Sequence, residues 1–117
     1  MAQQKIDIEI SDAGDYRILR PTGDLDVYTV GSLRDAIADI LEQSEPKVVV
    51  DLDSVPFMDS SGLGALMGGV RRLREAGGDL AITCTREQHL KLFTITGFGE
   101  GVSIAPTVEE AAQGFRS

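Results

Sequence analysis

The sequence predicts an α/β fold: one mixed β-sheet with a parallel centre and about four helices. Three observations carry that reading. Element signals run β-β-α-β-α-β-α-β-α along the 117 residues. The uninterrupted run Val48-Val49-Val50 suits a strand covered on both faces. The later strands are separated by short connections with room for one helix each, which favours parallel crossovers.

The first two strands are read from alternation. Ile6, Ile8 and Ile10 alternate with Asp7 and Glu9, the period-two pattern of a sheet with one wet face. Ser11 to Asp15 supply a polar turn containing glycine. Tyr16 to Arg20 forms a second strand, ended by Pro21 and Gly23, and the two strands are expected to pair as an antiparallel hairpin. A helix follows from about Thr29 to Gln43. Val30, Leu33, Ile37, Ile40 and Leu41 share its inner face, while Arg34, Asp35, Asp39 and Glu42 face outward. Thr29 or Ser32 serves as its N-cap, and Ser44 and Pro46 mark its end. Lys47 to Leu52 is the central strand.

Asp53 to Ser61 is polar apart from Val55, Phe57 and Met58, and leads into Gly62-Leu63-Gly64 and a helix reaching about Ala76. Leu63, Leu66, Val70 and Leu73 have the spacing of a buried helical stripe. Gly64, Gly68 and Gly69 lower helix propensity there, which fits either close approach of helix to sheet or a mobile binding helix. Gly77-Gly78 ends the helix and Asp79 to Thr83 is a strand. Residues 86–96 read as a third helix with Leu90, Phe93 and Ile95 turned inward and His89 on its polar or boundary face. Gly97 to Gly101 interrupts it, as a turn or a contact loop. Val102 to Ala105 is the last strand. Pro106 then precedes a helix capped by Thr107, with Glu110 three positions on. Residues 1–117 are expected to form a single domain, with no repeat or linker.

Charge narrows the function classes. The formal charge is -8, and residues 1–60 hold 13 acids against 5 bases while residues 61–117 hold six of each. Such a chain lacks the basic stripe that neutralises phosphates, so direct nucleic-acid binding is not expected. Arg71, Arg72 and Arg74 are too small a cluster to change that and read as one solvated helix face. Cys84 is the sole cysteine. It excludes an internal disulfide and a cysteine zinc site, and reads as a buried structural thiol. No stretch approaches the roughly 20 apolar residues of a membrane span. The opening MAQQKIDIEI lacks the pattern of a secretory signal, so a cytoplasmic location without membrane insertion is expected.

The chemistry concentrates at Asp51-Leu-Asp-Ser-Val-Pro-Phe-Met-Asp-Ser-Ser-Gly-Leu-Gly-Ala-Leu66. Ser60 and Ser61 stand where a helix begins, beside free amides and a dipole that favour an anion. A phosphate on Ser60 would add about two negative charges next to Asp59. Ordinary capping, with Ser61 as the cap, is the alternative, and the sequence pattern alone does not choose between the hydroxyls. Asp24 and Asp26 follow the second strand and Asp59 follows the central one, placing all three at the carboxyl edge of a parallel sheet. They read as a solvated loop set or as contacts for a cation or a basic partner, without calcium-loop spacing. His89 has no local ligand pattern. A triad of Ser60, His89 and an Asp lacks the nucleophile elbow, and Gly62-Leu63-Gly64 lacks the Lys-Ser/Thr ending of a phosphate loop. No catalytic residue, metal or cofactor is expected, and a small hydrolase is the weaker class.

Phe57-Met58-Asp59-Ser60-Ser61-Gly62-Leu63-Gly64 closely resembles the bacterial anti-sigma factor antagonist family, whose domain is called STAS. The resemblance extends to Gly23-Asp24-Leu25-Asp26, to Leu92-Phe93 through Gly97, and to Pro106-Thr107-Val108-Glu109-Glu110-Ala111. It implies helices mainly on one face of the sheet and a switch serine opening a helix. It also implies Ser60 as phosphoacceptor, with Ser61 adjacent and Asp26 and Asp59 at acidic positions near the site. The implied partners are an anti-sigma factor that is also a serine kinase, and a serine phosphatase. The unmodified antagonist would bind the kinase and free the sigma factor, and phosphorylation would prevent capture. ATP would belong to the kinase, making this chain a substrate and binding protein rather than an enzyme. Asp24, Asp26, Tyr28, Asp59, Ser60, Ser61, Gly62 and Leu63 are the expected contact residues. A STAS scaffold or accessory subunit in another signalling or transport complex is the alternative.

Overall fold

The computed structural model describes residues 5–43 and 46–115. Five strands, β1 (Asp7–Asp12), β2 (Arg17–Thr22), β3 (Lys47–Asp51), β4 (Asp79–Thr83) and β5 (Ile104–Ala105), lie in sequence order in one sheet. β1 and β2 pair antiparallel, and each later pair is parallel. The helices are α1 (Val30–Leu41), α2 (Ser60–Glu75), α3 (Glu87–Thr96) and α4 (Val108–Gln113), with a 3-10 turn at Phe98–Glu100. This is the expected mixed sheet with a parallel centre.

The valine run explains the layers. Val48 and Val50 point into the main core with Leu19, Leu80 and Ile82, against side chains of α1, α2 and α3. Val49 points the other way, to Ala81 and Ala111. Three helices therefore cover one face, and the six-residue α4 lies on the other. All three valines are fully buried, each contributing about 1.5–3 kcal/mol relative to exposure.

Boundaries shift where local chemistry overrides the sequence pattern. β1 runs on to Asp12, and the turn shrinks to the four residues between the strands, where Gly14 adopts φ 91° and the Asp12 carboxylate accepts its N–H at 2.8 Å. Pro21 lies inside β2 opposite Ile8 rather than ending it. The ladder to β3 has already stopped at Leu19–Val50, so the missing proline N–H interrupts no central pairing. β5 keeps only two of the four expected residues, and Val102 is buried just before it. Ser44 falls outside the described residues.

Four side chains depart from expectation. Ile95 is 82% exposed rather than inward, because it lies on the opposite side of α3 from Phe93. His89 is buried instead, one turn before Phe93, and its Nε2–H donates to the Val55 carbonyl at 2.6 Å. Arg74 leaves the solvated arginine face to pair with the buried Asp79 at 2.8 Å. Thr29 holds the N-cap position of α1 but makes no capping bond. Its hydroxyl donates instead to the Asp24 carbonyl at 2.7 Å.

The glycines of α2 divide into two kinds. A Cβ at Gly69 would lie 2.8 Å from Ile37 Cδ1, so α1 and α2 close on that position. At Gly64 and Gly68 a Cβ would meet nothing within 4 Å. Close packing accounts for Gly69 and not for the other two. Further on, Gly78 sits against Pro46, whose carbonyl accepts the Asp79 N–H at 3.1 Å, and a Cβ there would fall on that carbonyl.

Candidate functional site

The site forms where two loops leave the carboxyl ends of β2 and β3. They are bonded to each other. Gly23 N–H donates to Ser54 O at 3.1 Å, Leu25 N–H to Phe57 O at 2.9 Å, and Asp59 N–H to Leu25 O at 3.2 Å. Leu25 and Met58 form a parallel bridge, and both side chains enter the main core. This coupling is invisible in the residue pattern, because each loop alone reads as a polar connector.

Gly62 lets α2 start directly on that bridge. A Cβ there would lie 2.7 Å from Met58 Cγ and 3.0 Å from the Leu25 carbonyl oxygen. The buried stripe of Leu63, Leu66, Val70 and Leu73 then holds the helix against the sheet, as expected. The N-cap is Asp59, not Ser61. Its Oδ1 accepts Ser61 N–H at 2.8 Å and Gly62 N–H at 3.2 Å, and its carbonyl accepts Leu63 N–H at 3.1 Å. With those amides satisfied, neither serine is needed for capping. Ser60 is exposed at the first helical position, whereas Ser61 is half-buried.

Asp59→Ala is therefore expected to lower stability by about 1 kcal/mol through loss of the cap, with Asp59→Asn retaining most of it. Urea unfolding of the three proteins checks the order.

Asp26 is committed to its own loop. Its Oδ1 accepts Tyr28 N–H at 2.9 Å and its carbonyl accepts Val30 N–H at 3.0 Å. The backbone N–H of Asp26 is in turn held by Thr29 Oγ1 at 3.0 Å. The carboxylates of Asp26 and Asp59 thus shape the surface more than they offer free charge, while Asp24 contributes its carbonyl to the Thr29 hydroxyl. The loop presents Tyr28, 78% exposed.

Two residues outside the predicted contact set join this surface. Phe57 is 50% exposed and Met67 is 51% exposed. Met67 follows Ser60 by seven positions and so shares its side of α2. An apolar residue on the outward arc of an otherwise amphipathic helix was the available signal. Leu63, an expected contact, is buried and anchors the helix instead, and Gly62 is buried with it.

The opposite flank of the β3–α2 loop is braced by the start of α3. Asp53 Oδ1 accepts Thr85 N–H at 2.7 Å, and Arg86 Nε donates to Asp53 O at 3.0 Å. Cys84 is buried behind them, and desolvation pushes its thiol pKa up, away from the reactive thiolate. Arg20 has its pKa raised by a hydrogen bond to Asp51 at 2.9 Å. Among the described residues no group of three His, Cys, Asp or Glu is placed to hold a metal. No helix among them is long and apolar enough to cross a membrane.

Comparison with known proteins adds the family. The STAS domain profile matches residues 6–111. The anti-sigma-B factor antagonist of Staphylococcus epidermidis is 34% identical over 92 residues, covering 79% of this chain and 85% of that one. An anti-sigma factor antagonist from Mycobacterium paratuberculosis superposes with a TM-score of 0.85 at 24% identity, over 96% of this chain and 95% of that one. The Bacillus cell fate determinant SpoIIAA in its phosphorylated form superposes with a TM-score of 0.70 at 26% identity, over 92% and 97% of the two chains. A profile match over nearly the whole length, joined to such a relative, assigns the sequence: the chain belongs to the STAS domain family, among the anti-sigma factor antagonists.

Proposed function

We propose that the chain is a partner-switching antagonist controlled by phosphorylation of Ser60. In the unmodified form it captures an anti-sigma factor that is also a serine kinase, and so releases the sigma factor. Phosphate on Ser60 prevents capture, and a serine phosphatase restores it. The kinase supplies ATP and catalysis; this chain supplies a surface and an acceptor hydroxyl.

One observation supports Ser60 most directly. Asp59 satisfies the first amides of α2 while Ser60 stays exposed beside it, so a kinase can reach that hydroxyl without unwinding the helix. Tyr28, Phe57 and Met67 supply apolar area around it, the material of an interface core. Relatives named as anti-sigma-B factor antagonists, and SpoIIAA as a phosphorylated protein, point the same way.

The test is incubation with ATP and each anti-sigma factor kinase encoded in the same genome, followed by phosphosite mass spectrometry. One phosphate at Ser60 is expected, absent in Ser60→Ala and retained in Ser61→Ala. Modification at Ser61 instead, or none with a kinase active on another antagonist, would overturn the assignment.

A further inference from the structure

A groove of about 230 Å³ runs between α1 and α2, walled by Arg34, Arg71 and Arg72 and floored in part by Gly64 and Gly68. Two features of it are unexplained by the fold. Among the described residues, none of the guanidiniums of these three arginines forms an ion pair or hydrogen bond. They are gathered at one place on a chain of charge -8. The glycines are the second feature, since each costs a helix interior about 0.5–1 kcal/mol relative to alanine. Nothing among the described residues requires either one, because a Cβ at either position would meet no atom of theirs within 4 Å.

An outside body explains both. Gly64 and Gly68 let a partner's backbone approach α2 closely, and the guanidiniums supply donors for carboxylates. We propose that this groove docks an acidic segment of the same anti-sigma factor kinase. This inference rests on the reading of Ser60 given above and adds a second contact to it. Ser60, Gly64, Met67, Gly68 and Arg71 share one side of α2, so the groove continues the surface around the switch. Arg71 stands eleven residues beyond Ser60, about 16 Å along the axis. That is too far for Arg71, or Arg72 beyond it, to hold a phosphate on Ser60, so these two arginines serve the partner and not the modified serine. The groove is also smaller than the roughly 300–1,000 Å³ of small-molecule sites, which favours a few side chains of a protein segment over a nucleotide.

Arg34→Glu/Arg71→Glu/Arg72→Glu and Gly68→Leu test the proposal, with the kinase found to phosphorylate Ser60 as the probe in titration calorimetry. The charge reversal is expected to weaken binding at least 30-fold, with a smaller loss at high salt. Gly68→Leu is expected to weaken it about tenfold while thermal stability stays equal or rises, which separates blocked docking from damaged folding. If the reversal does not fold, Arg34→Gln/Arg71→Gln/Arg72→Gln replaces it, with a loss of about tenfold expected. Binding within twofold of wild type by the arginine variants, with Ser60→Asp still abolishing it, overturns the groove and leaves the switch standing. Failure of wild type to bind any such kinase overturns both. Binding of single-stranded RNA or anionic vesicles that is lost on reversal, with kinase binding unchanged, would assign the groove to another ligand and overturn the proposal.

Discussion

Ser60→Asp is expected to weaken capture of the anti-sigma factor kinase by about 100-fold or more, since placing like charge in an interface costs several kcal/mol. Ser60→Ala is expected to bind within about threefold of wild type. The contrast follows from the helix start. Asp59 already occupies the amides of Ser61 and Gly62, so a second anion one residue later finds no vacant donors there and projects its charge outward. The fold tolerates that charge well. An acid in the first turn of a helix is favourable by about 0.3–1 kcal/mol, and the melting temperature of Ser60→Asp should match or exceed that of wild type. Calorimetric titration with the kinase, beside thermal unfolding of each variant, separates these effects. Loss of binding with intact stability is the signature of charge control. Equal binding by both variants would count decisively against it. Because the charge is exposed, the penalty should shrink above about 0.15 M salt, where screening acts over roughly 8 Å.

Gly78→Ala is expected to be the most damaging single methyl in the chain. The added carbon would fall on the Pro46 carbonyl, which is backbone and is itself bonded to Asp79 N–H at 3.1 Å. Relief requires β4 to retreat from the start of β3, where Lys47 and Asp79 are paired. The residue following is the buried Asp79, held by Arg74 at 2.8 Å, so the shift also strains a buried charge. Overpacking costs about 1–3 kcal/mol and more when backbone must move, so about 3 kcal/mol is expected here. For a chain of this size that is a fall of roughly 10–15 °C in melting temperature. Thermal and urea unfolding check it, and an unchanged midpoint would mean that the two strand starts are looser than their hydrogen bond implies.

Legibility followed the range of the interactions involved. The valine run and the helical stripes announced the strands and α2, because hydrophobic periodicity is a local record of which faces are buried. Thr107 and Glu110 announced α4 for the same reason, and the cap forms at 3.2 Å. What escaped was set across the chain. His89 reads from the pattern as a polar- or boundary-face histidine, and its burial depends on Val55, 34 positions earlier, whose carbonyl meets its ring. The Leu25–Met58 bridge joins two loops whose polar composition hides a ladder between their backbones. At the candidate site the residue types were legible and their assignments were less so. Asp59-Ser60-Ser61 holds three capping residues in a row, and only the extended backbone at Asp59 decides which one caps. Phe57 and Met67 were missed because an isolated apolar residue in a loop or on a helix reads first as core.

The bonding between the loops bears on speed. Gly23, Leu25, Ser54, Phe57 and Asp59 exchange backbone hydrogen bonds before any partner arrives, so the recognition surface is assembled in advance. Association then loses little loop entropy. An encounter complex need not wait for a folding step, so differences in affinity between variants of this surface should appear mainly in the dissociation rate. A bolted pair of loops thus suits the partner-switching role proposed above, in which one surface is taken up and released again.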